Sequence, residues 1–353
     1  MGSFELVGIG YVEFYVTNAF QSAIFYKEAL GFDIVGIRHL EKGISYLLKQ
    51  NECFLILTSS FDKNSLIHEH VLKHGDSIKD ITFLAKNIDL AYDYMMKRGA
   101  DVINNPSELR ESSRGLRKYS INAFGDLTHS FVEYSLSLDN MPFYKSLNHV
   151  SSKKYGLQKI DHIAIALKRE GLEEGISFYR DIFGFHVSHE EEVILGKGGM
   201  SSVVMSSVDD QIKFPLVSPI GEIGHSQIDK YLTYNEGVGA QHIAFLSNDI
   251  VESAKTLKES GISFLEIPQS YYENISSKIS NSLNSKMDQI RELGILLSGE
   301  EDHLLMQIFS TPLQTLPTFF IEIIERNNNQ GFGSENIKAL FKAVALDQQK
   351  ENI

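Results

Sequence analysis

The sequence is poor in the features that mark disulfide-bonded, secreted or membrane-spanning proteins. It has one cysteine, Cys53, and no tryptophan among its 353 residues, so an intrachain disulfide is excluded. No run approaches the ~18 consecutive apolar residues that a transmembrane helix needs. The N-terminus lacks the basic segment and following apolar segment of a signal peptide. These absences predict a soluble protein located in the cytoplasm.

Positive charge is also scarce. Lys and Arg number 33 against 46 Asp and Glu, which gives a formal net charge of -13 at pH 7. Because an acidic protein repels phosphate groups, we expect neither nucleic acid nor a membrane surface as a partner. A hydrophobic content of 42% and a charged content of 22% are typical of a globular protein. The length favours two domains.

What the chain does contain is an internal repeat. Residues 25–32 (FYKEALGF) match residues 178–185 (FYRDIFGF) by residue class, and residues 80–88 parallel 242–250. In each case strand-like runs alternate with a helical period that ends at glycine, which indicates duplicated modules. We predict an α+β fold of tandem βαβββ modules that form two open-barrel domains, followed by a C-terminal helix.

The predicted domain boundaries follow from this repeat. They are an N-terminal structural domain at 1–140, a polar linker at 141–157 and a C-terminal catalytic domain at 158–353.

Three apolar, strand-like runs of the second half each carry a metal-ligating residue at a central position: His162, His242 and Glu322. A buried carboxylate has to be paired, protonated or metal-bound, since an isolated buried charge is costly. Two neutral imidazoles and one carboxylate form the triad that binds non-haem Fe(II) and leaves open coordination positions. Each residue alone also fits a core role, as a hydrogen-bonded histidine or an ion-paired glutamate.

In the first half, the repeat places Tyr11, Asp80 and Glu133 at the corresponding positions. This set contains no imidazole. We therefore predict that the second half is active and the first half is structural.

Several motifs of the second half carry a resemblance to a known family. They are DHIA at 161–164, NEGVGAQHIAF at 235–245, QIF at 307–309, PTFFIEIIER at 317–326 and GFGSENIKALF at 331–341. With them the chain resembles the 4-hydroxyphenylpyruvate dioxygenase and 4-hydroxymandelate synthase family, in the vicinal-oxygen-chelate superfamily, which also contains glyoxalase-like domains. The resemblance implies Fe(II) at the three residues above. It also implies 4-hydroxyphenylpyruvate, a 2-oxo acid that chelates the iron, and O2 as substrates.

The resemblance also assigns roles to residues around the metal. It implies a catalytic hydrogen-bond network of Gln241, Gln307 and Asn336. The implied substrate-contacting residues are Ser202, Val217, Gln227, Phe309, Phe320, Phe332, Ile337 and Phe341. Other roles remain open from the residues alone. Gln241 also suits a residue that orients His242, Ser202 suits a strand surface, and the phenylalanines suit an ordinary core.

The C-terminal segment from Asn336 to about Gln349 has the apolar spacing of an amphipathic helix. Packing is the generic role of such a helix. The resemblance implies that it covers the mouth of the active site.

The family has two branches, which make different products from the same substrate. Val217 and Ile337 resemble the branch that hydroxylates the benzylic carbon and gives 4-hydroxymandelate. Pro215 and Phe341 resemble the branch that hydroxylates the ring and gives homogentisate. Because an asparagine usual in the second branch is replaced by Val217, we favour 4-hydroxymandelate, with homogentisate as the alternative.

Two other functions use the same scaffold. An extradiol ring-cleaving dioxygenase would need a base near a catechol, for which His225 or His303 is a candidate. A non-catalytic binding protein would normally lack the complete metal triad. We also expect a homo-oligomer, either a dimer or a tetramer.

Overall fold

Two mixed β-sheets, one in each half of the chain, form the framework. The computed structural model describes residues 4–106, 117–133, 138, 141–151, 155–275, 286–300 and 302–339. The strands of the first half are β1 (Leu6–Tyr15), β2 (Asp33–Leu40), β3 (Gly43–Gln50), β4 (Cys53–Ser60), β5 (Ser77–Ala85), β6 (Val102–Asn104), β7 (Lys118–Asn122), β8 (Thr128–Glu133) and β9 (Lys145–His149). Its helices are α1 (Ala19–Leu30), α2 (Leu66–His74) and α3 (Ile88–Met96).

The second half repeats this plan. Its strands are β10 (Leu157–Ala166), β11 (His186–Leu195), β12 (Gly198–Ser206), β13 (Lys213–Gly221), β14 (Gly239–Ser247), β15 (Leu296–Glu300), β16 (His303–Phe309) and β17 (Phe320–Asn327). Its helices are α4 (Leu172–Ser177), α5 (Gln227–Tyr234), α6 (Ile250–Glu259), α7 (Gln269–Ile275) and α8 (Met287–Leu293), and a further helix is described over 334–339. None of the described helices has the length and apolar character needed to cross a bilayer.

The strand order shows the duplication directly. The first sheet runs β6-β7-β8-β5-β1-β4-β3-β2-β9, and the second runs β15-β16-β17-β14-β10-β13-β12-β11 when read in the same direction. Apart from β9, the two orders correspond strand by strand. In each half the central strands come from two βαβββ units, so the predicted α+β fold of tandem modules is confirmed.

Glycines end the repeated helices, as the sequence predicts. Gly31 follows α1 and Gly184 follows the equivalent helix, and both have left-handed backbone angles, with φ of 77° and 73°. A side chain at Gly31 is also excluded by space, because a Cβ atom there would lie 1.8 Å from the Tyr155 ring. The second of these helices differs from the prediction in one respect, since its last turn, Phe178–Phe183, is π-helical.

The segment expected to be an irregular linker contains a strand. β9 pairs with β2, with His149 opposite Ile34, so part of 141–157 extends the first sheet. The prediction overlooked this strand because its side chains are mostly exposed and show no apolar alternation. The domain boundaries themselves remain a prediction.

Aromatic side chains pack across the two halves. Ring centroids lie 5.2 Å apart in the pair Phe14 and Phe319, and 6.0 Å apart in the pair Phe32 and Phe245. Because these rings are buried, the halves share one apolar core and hold each other in place.

Candidate metal centre and substrate cavity

The three predicted metal ligands lie on adjacent strands and meet at one point. His162 is on β10, His242 on β14 and Glu322 on β17, and these strands are neighbours in the sheet. The Nε2 atoms of His162 and His242 lie 3.2 Å and 3.5 Å from Glu322 Oε2. Glu322 is 1% exposed and His162 is 2% exposed. A donor set of two imidazole nitrogens and one carboxylate oxygen, buried and convergent, fits a non-haem divalent metal ion.

Two β-bulges help to direct this cluster. The register between β10 and β14 skips one residue at Asp161 and one at Gln241. A bulge breaks the strict alternation of side chains between the two faces of a sheet. It therefore allows Gln241 and His242, which are adjacent in sequence, to line the same cavity.

Burial and neighbouring charges shift the pKa values of all three candidate ligands. Burial works to raise the pKa of Glu322, but the nearby His162 and His242 outweigh it and bring the pKa to about 2. Burial lowers the pKa of His242. Burial also works to lower the pKa of His162, but Glu322 and Asp161 outweigh it and raise that pKa. An ionised carboxylate and a neutral imidazole are the forms that bind a metal.

A salt bridge behind His162 fixes the orientation of its ring. His162 Nδ1 lies 2.8 Å from Asp161 Oδ1, and Arg326 donates to both oxygens of Asp161 at 2.7 Å and 2.8 Å. Because the carboxylate accepts the Nδ1 proton, Nε2 is left with a lone pair that points toward Glu322. The sequence prediction did not include Asp161 or Arg326 as site residues, although both lie inside the quoted motifs.

A chain of three polar residues, linked by hydrogen bonds, ends at the other oxygen of Glu322. Gln307 Nε2 donates to Glu322 Oε1 at 2.9 Å, and Asn336 Nδ2 donates to Gln307 Oε1 at 2.8 Å. Tyr271 then donates to Asn336 Oδ1 at 2.8 Å. Asn336 is completely buried, and its bond to Gln307 connects it to Glu322. Tyr271 was not predicted, since nothing in its local sequence distinguishes it.

A cavity lies next to the three candidate metal ligands. Nearly all residues expected around the substrate line it, together with the metal ligands. These are Ser202, Val217, Gln227, Gln241, Gln307, Phe309, Phe320, Phe332 and Ile337. Four further residues of the lining were not predicted as site residues: His189, Met200, Val204 and Pro215. Phe341 lies outside the described residues.

Among its described residues, the first half has no group of metal-ligating side chains at the positions that correspond to His162, His242 and Glu322. The strand registers place Asp80 opposite Thr128 and Thr82 opposite Ser130, as they place His242 opposite Phe320 and Ala244 opposite Glu322. The residue equivalent to Glu322 is therefore Ser130. Pairing it with Glu133 was wrong, because that alignment matched residue type and ignored the strand register.

Another group of potential ligands lies between the halves. His70, His74 and Asp126 bring their ligand atoms within 4.8 Å of one another. However, Lys73 lies 3.2 Å from Asp126 Oδ2, and Lys79 donates to the Asp126 carbonyl oxygen. The Lys73 ammonium group already pairs with the Asp126 carboxylate, so the group is better described as an ion-pair cluster.

The two histidines considered for an extradiol mechanism lie elsewhere. His225 is about half exposed, at 3.7 Å from Glu222, and His303 is exposed and contacts the Asn328 carbonyl oxygen. Neither lines the cavity.

Comparisons with known proteins agree with this geometry. Residues 2–136 match the model described as hydroxyphenylpyruvate dioxygenase, N-terminal, and residues 159–275 match that of the glyoxalase/bleomycin resistance protein/dioxygenase superfamily. The chain is 30% identical to a 4-hydroxyphenylpyruvate dioxygenase from Yarrowia lipolytica, over 97% of this chain and 92% of that one. For the protein of the same name from Danio rerio the identity is 31%, over 98% and 91%.

A solved structure is similar over the same extent. It is a triple mutant of 4-hydroxymandelate synthase from Streptomyces coelicolor, with a TM-score of 0.84 and 27% identity, covering 98% of this chain and 100% of that one. With relatives at this level of identity across almost its whole length, the protein belongs to the 4-hydroxyphenylpyruvate dioxygenase and 4-hydroxymandelate synthase family of the vicinal-oxygen-chelate superfamily, and it is an enzyme of the non-haem dioxygenase type.

Proposed function

We propose that the protein is an Fe(II)-dependent dioxygenase that converts 4-hydroxyphenylpyruvate and O2 into homogentisate and CO2. One observation carries the proposal: two imidazole nitrogens and a carboxylate oxygen converge in a cavity whose lining also contains three glutamine amides and three phenylalanine rings. Iron bound there would supply the activation of O2 for oxidative decarboxylation of the 2-oxo acid. We place the enzyme in the cytoplasm, as a homo-oligomer.

The residues of the cavity suit the two ends of such a substrate. The amides of Gln227 and Gln241 would donate hydrogen bonds to the oxygens of the oxo acid. Phe309, Phe320 and Phe332 would pack against the aromatic ring and exclude water, which fixes the distance between the ring and the reacting centre. Gln307 acts as a positioning residue, since its amide is committed to Glu322.

Homogentisate is the product that the relatives favour. The relatives from Yarrowia lipolytica, Danio rerio and Sus scrofa are named 4-hydroxyphenylpyruvate dioxygenase at 30%, 31% and 32% identity. Our preference for 4-hydroxymandelate, drawn from Val217, is less well supported. One residue changes a local contact in the cavity, whereas identity spread over nearly the whole chain reflects many positions.

The decisive experiment is a product analysis. Protein loaded with Fe(II) is incubated with 4-hydroxyphenylpyruvate while oxygen uptake is recorded, and the product is identified by chromatography and mass spectrometry. We expect homogentisate, and we expect Glu322→Gln to lower iron content and turnover by more than about 100-fold. Glu325→Gln on the same strand is the matched control, because Glu325 accepts from the Ile250 backbone instead. Oxygen uptake with a catechol but not with the arylpyruvate would contradict the proposal.

Val217 supports a second candidate, benzylic hydroxylation. Its buried side chain lines the cavity and faces Ser202 across the strand pair β12 and β13. An apolar residue there gives the ring no hydrogen-bond partner, so the ring can take a different orientation. On this candidate the wild-type protein releases 4-hydroxymandelate, and Val217→Asn shifts the product ratio toward homogentisate by about 10-fold, the effect of one hydrogen bond. An unchanged ratio in chromatography removes Val217 as the determinant.

A further inference from the structure

Two neighbouring side chains on β11 each have one buried polar atom without a hydrogen-bond partner, and one of the two side chains lines the substrate cavity. His189 lines the cavity, and Glu191 lies two residues further along the same strand. The atoms His189 Nε2 and Glu191 Oε2 are both shielded from solvent, and neither has a hydrogen-bond partner among the described residues. A buried polar atom left unpaired costs about 1–3 kcal/mol, so two neighbouring ones call for a missing partner.

The spacing of the two atoms suggests what that partner is. They lie 3.7 Å apart, which is too far for a hydrogen bond between them. A single hydroxyl oxygen can stand about 2.8 Å from both atoms at once. It would accept a hydrogen bond from His189 and donate one to Glu191, so one hydroxyl satisfies both groups.

The pair lies on a different strand from the metal ligands, beside the cavity that His189 lines. The metal ligands are on β10, β14 and β17, whereas β11 is the edge strand of the sheet, three strands from β10. Strand pairing sets Glu191 opposite Ser202 and His189 opposite Val204, and both of these partners line the cavity. Phe332 lies between the two sites, with ring centroids 5.2 Å from His162 and 5.9 Å from His189.

A substrate held at the metal by its oxo acid end would extend its ring past Phe332 toward this wall. We propose that His189 and Glu191 together bind a hydroxyl group on that ring and so select hydroxylated arylpyruvates over unsubstituted ones. The proposal rests on the proposed function, because it takes the ligand of the cavity to be an arylpyruvate. It adds a specificity-determining pair, and it names the substrate feature that the pair recognises.

The test compares two substrates that differ only in this hydroxyl. The values of kcat/KM are measured by oxygen uptake for 4-hydroxyphenylpyruvate and phenylpyruvate, with wild-type protein, His189→Gln, Glu191→Gln and the double variant. We expect each single variant to lose about 10- to 100-fold with the hydroxylated acid, while phenylpyruvate changes little. Since one hydroxyl bridges both groups, the two losses should be clearly less than additive.

Glu190→Gln is the matched control, because Glu190 lies between the two residues and is exposed. An equal loss with both substrates would indicate a purely structural role and would overturn the proposal. So would wild-type protein that does not discriminate between the acids.

A second measurement distinguishes failure of this proposal from failure of the proposed dioxygenase function. Dissociation constants of both acids for the metal-loaded protein are measured by calorimetry without oxygen, so that no turnover is needed. Tighter binding of the hydroxylated acid, lost in Glu191→Gln, supports the pair even if oxygen uptake is absent. Binding of both acids with equal affinity overturns the role of the pair, and binding of neither overturns the proposed function as well.

Discussion

His129 is a fully buried histidine that does not line the substrate cavity. Its Nε2 atom lies 2.7 Å from the Tyr179 hydroxyl, so it joins β8 of the first half to the π-helical turn of the second. Burial lowers the pKa of His129 to about 4. In the unfolded chain the imidazole would titrate near its ordinary value of about 6.5. The folded protein therefore excludes a proton that the unfolded chain binds between these two values.

This difference makes a prediction about pH. As the pH falls from about 6.5 to about 4, the free energy of unfolding should decrease by roughly 3 kcal/mol on account of this one residue. The variant His129→Gln can still bond to Tyr179 but does not titrate, so it should lose less stability over this range than the wild type. Urea unfolding at about pH 7 and about pH 4.5 measures the difference. His39→Gln, at an exposed position, is the control, and parallel pH curves for the wild type and His129→Gln would contradict the prediction.

At the scale of single residues, the chemistry of the site was predictable wherever residue type alone restricts the role. His162, His242 and Glu322 are costly in apolar strands unless they share a partner, and the structure brings them together. His189 escaped notice because its strand is acidic and mostly exposed. Tyr271 escaped notice because its partner, Asn336, is 65 residues away in the chain.

At the scale of elements, helical and strand periods were sufficient to find most of the fold. The apolar spacing after Asn336 predicted a C-terminal helix, and the structure describes its start at 334–339. Its docking depends on Gly333, which has a φ of 70°, and where a Cβ atom would approach Gln307 Oε1 to 2.7 Å. The close approach lets Asn336 reach Gln307, so the helix is tied to the carboxylate of Glu322.

Irregularities within elements were not predictable in the same way. The bulges at Asp161 and Gln241 break the alternation of side chains, yet each adds a single residue to a strand that still reads as apolar. Local sequence does not reveal them because a bulge is defined by the partner strand. The strand β9 was missed for a similar reason, since its pairing with β2 depends on backbone hydrogen bonds and not on buried side chains.

At the scale of the whole molecule, the two halves stabilise buried polar groups in different ways. Both enclose polar groups inside an open barrel, at positions that correspond through the strand registers. The position of Gln307 in the second half, opposite Ile324, is taken in the first half by Lys118, opposite Val132. Lys118 Nζ lies 3.1 Å from the Tyr11 hydroxyl and 3.6 Å from Asp80 Oδ2. In the first half, the Lys118 ammonium group thus supplies the positive charge beside the buried carboxylate of Asp80. The first half therefore needs no metal ion there, which fits a structural role.

The charge of Lys118 is stabilised by the groups around it, so removing it should destabilise the first half. Burial works to lower the pKa of Lys118, but the combined effect of Tyr11, Asp80 and Glu13 raises it well above its ordinary value, so the ammonium stays charged. Lys118→Met would leave the carboxylate of Asp80 buried without a counter-charge. Breaking a buried pair in this way costs about 3–5 kcal/mol.

We therefore expect Lys118→Met to lower the melting temperature by roughly 10 °C in thermal unfolding. The control is Lys86→Met, which removes an exposed ion pair with Glu5 and should cost less than about 1 kcal/mol. Metal content per folded chain should be the same in both variants, since the metal ligands are all in the second half. If Lys118→Met and Lys86→Met have the same melting temperature, the Lys118 ammonium group does not stabilise the first half. The different chemistry of the two halves then needs another explanation.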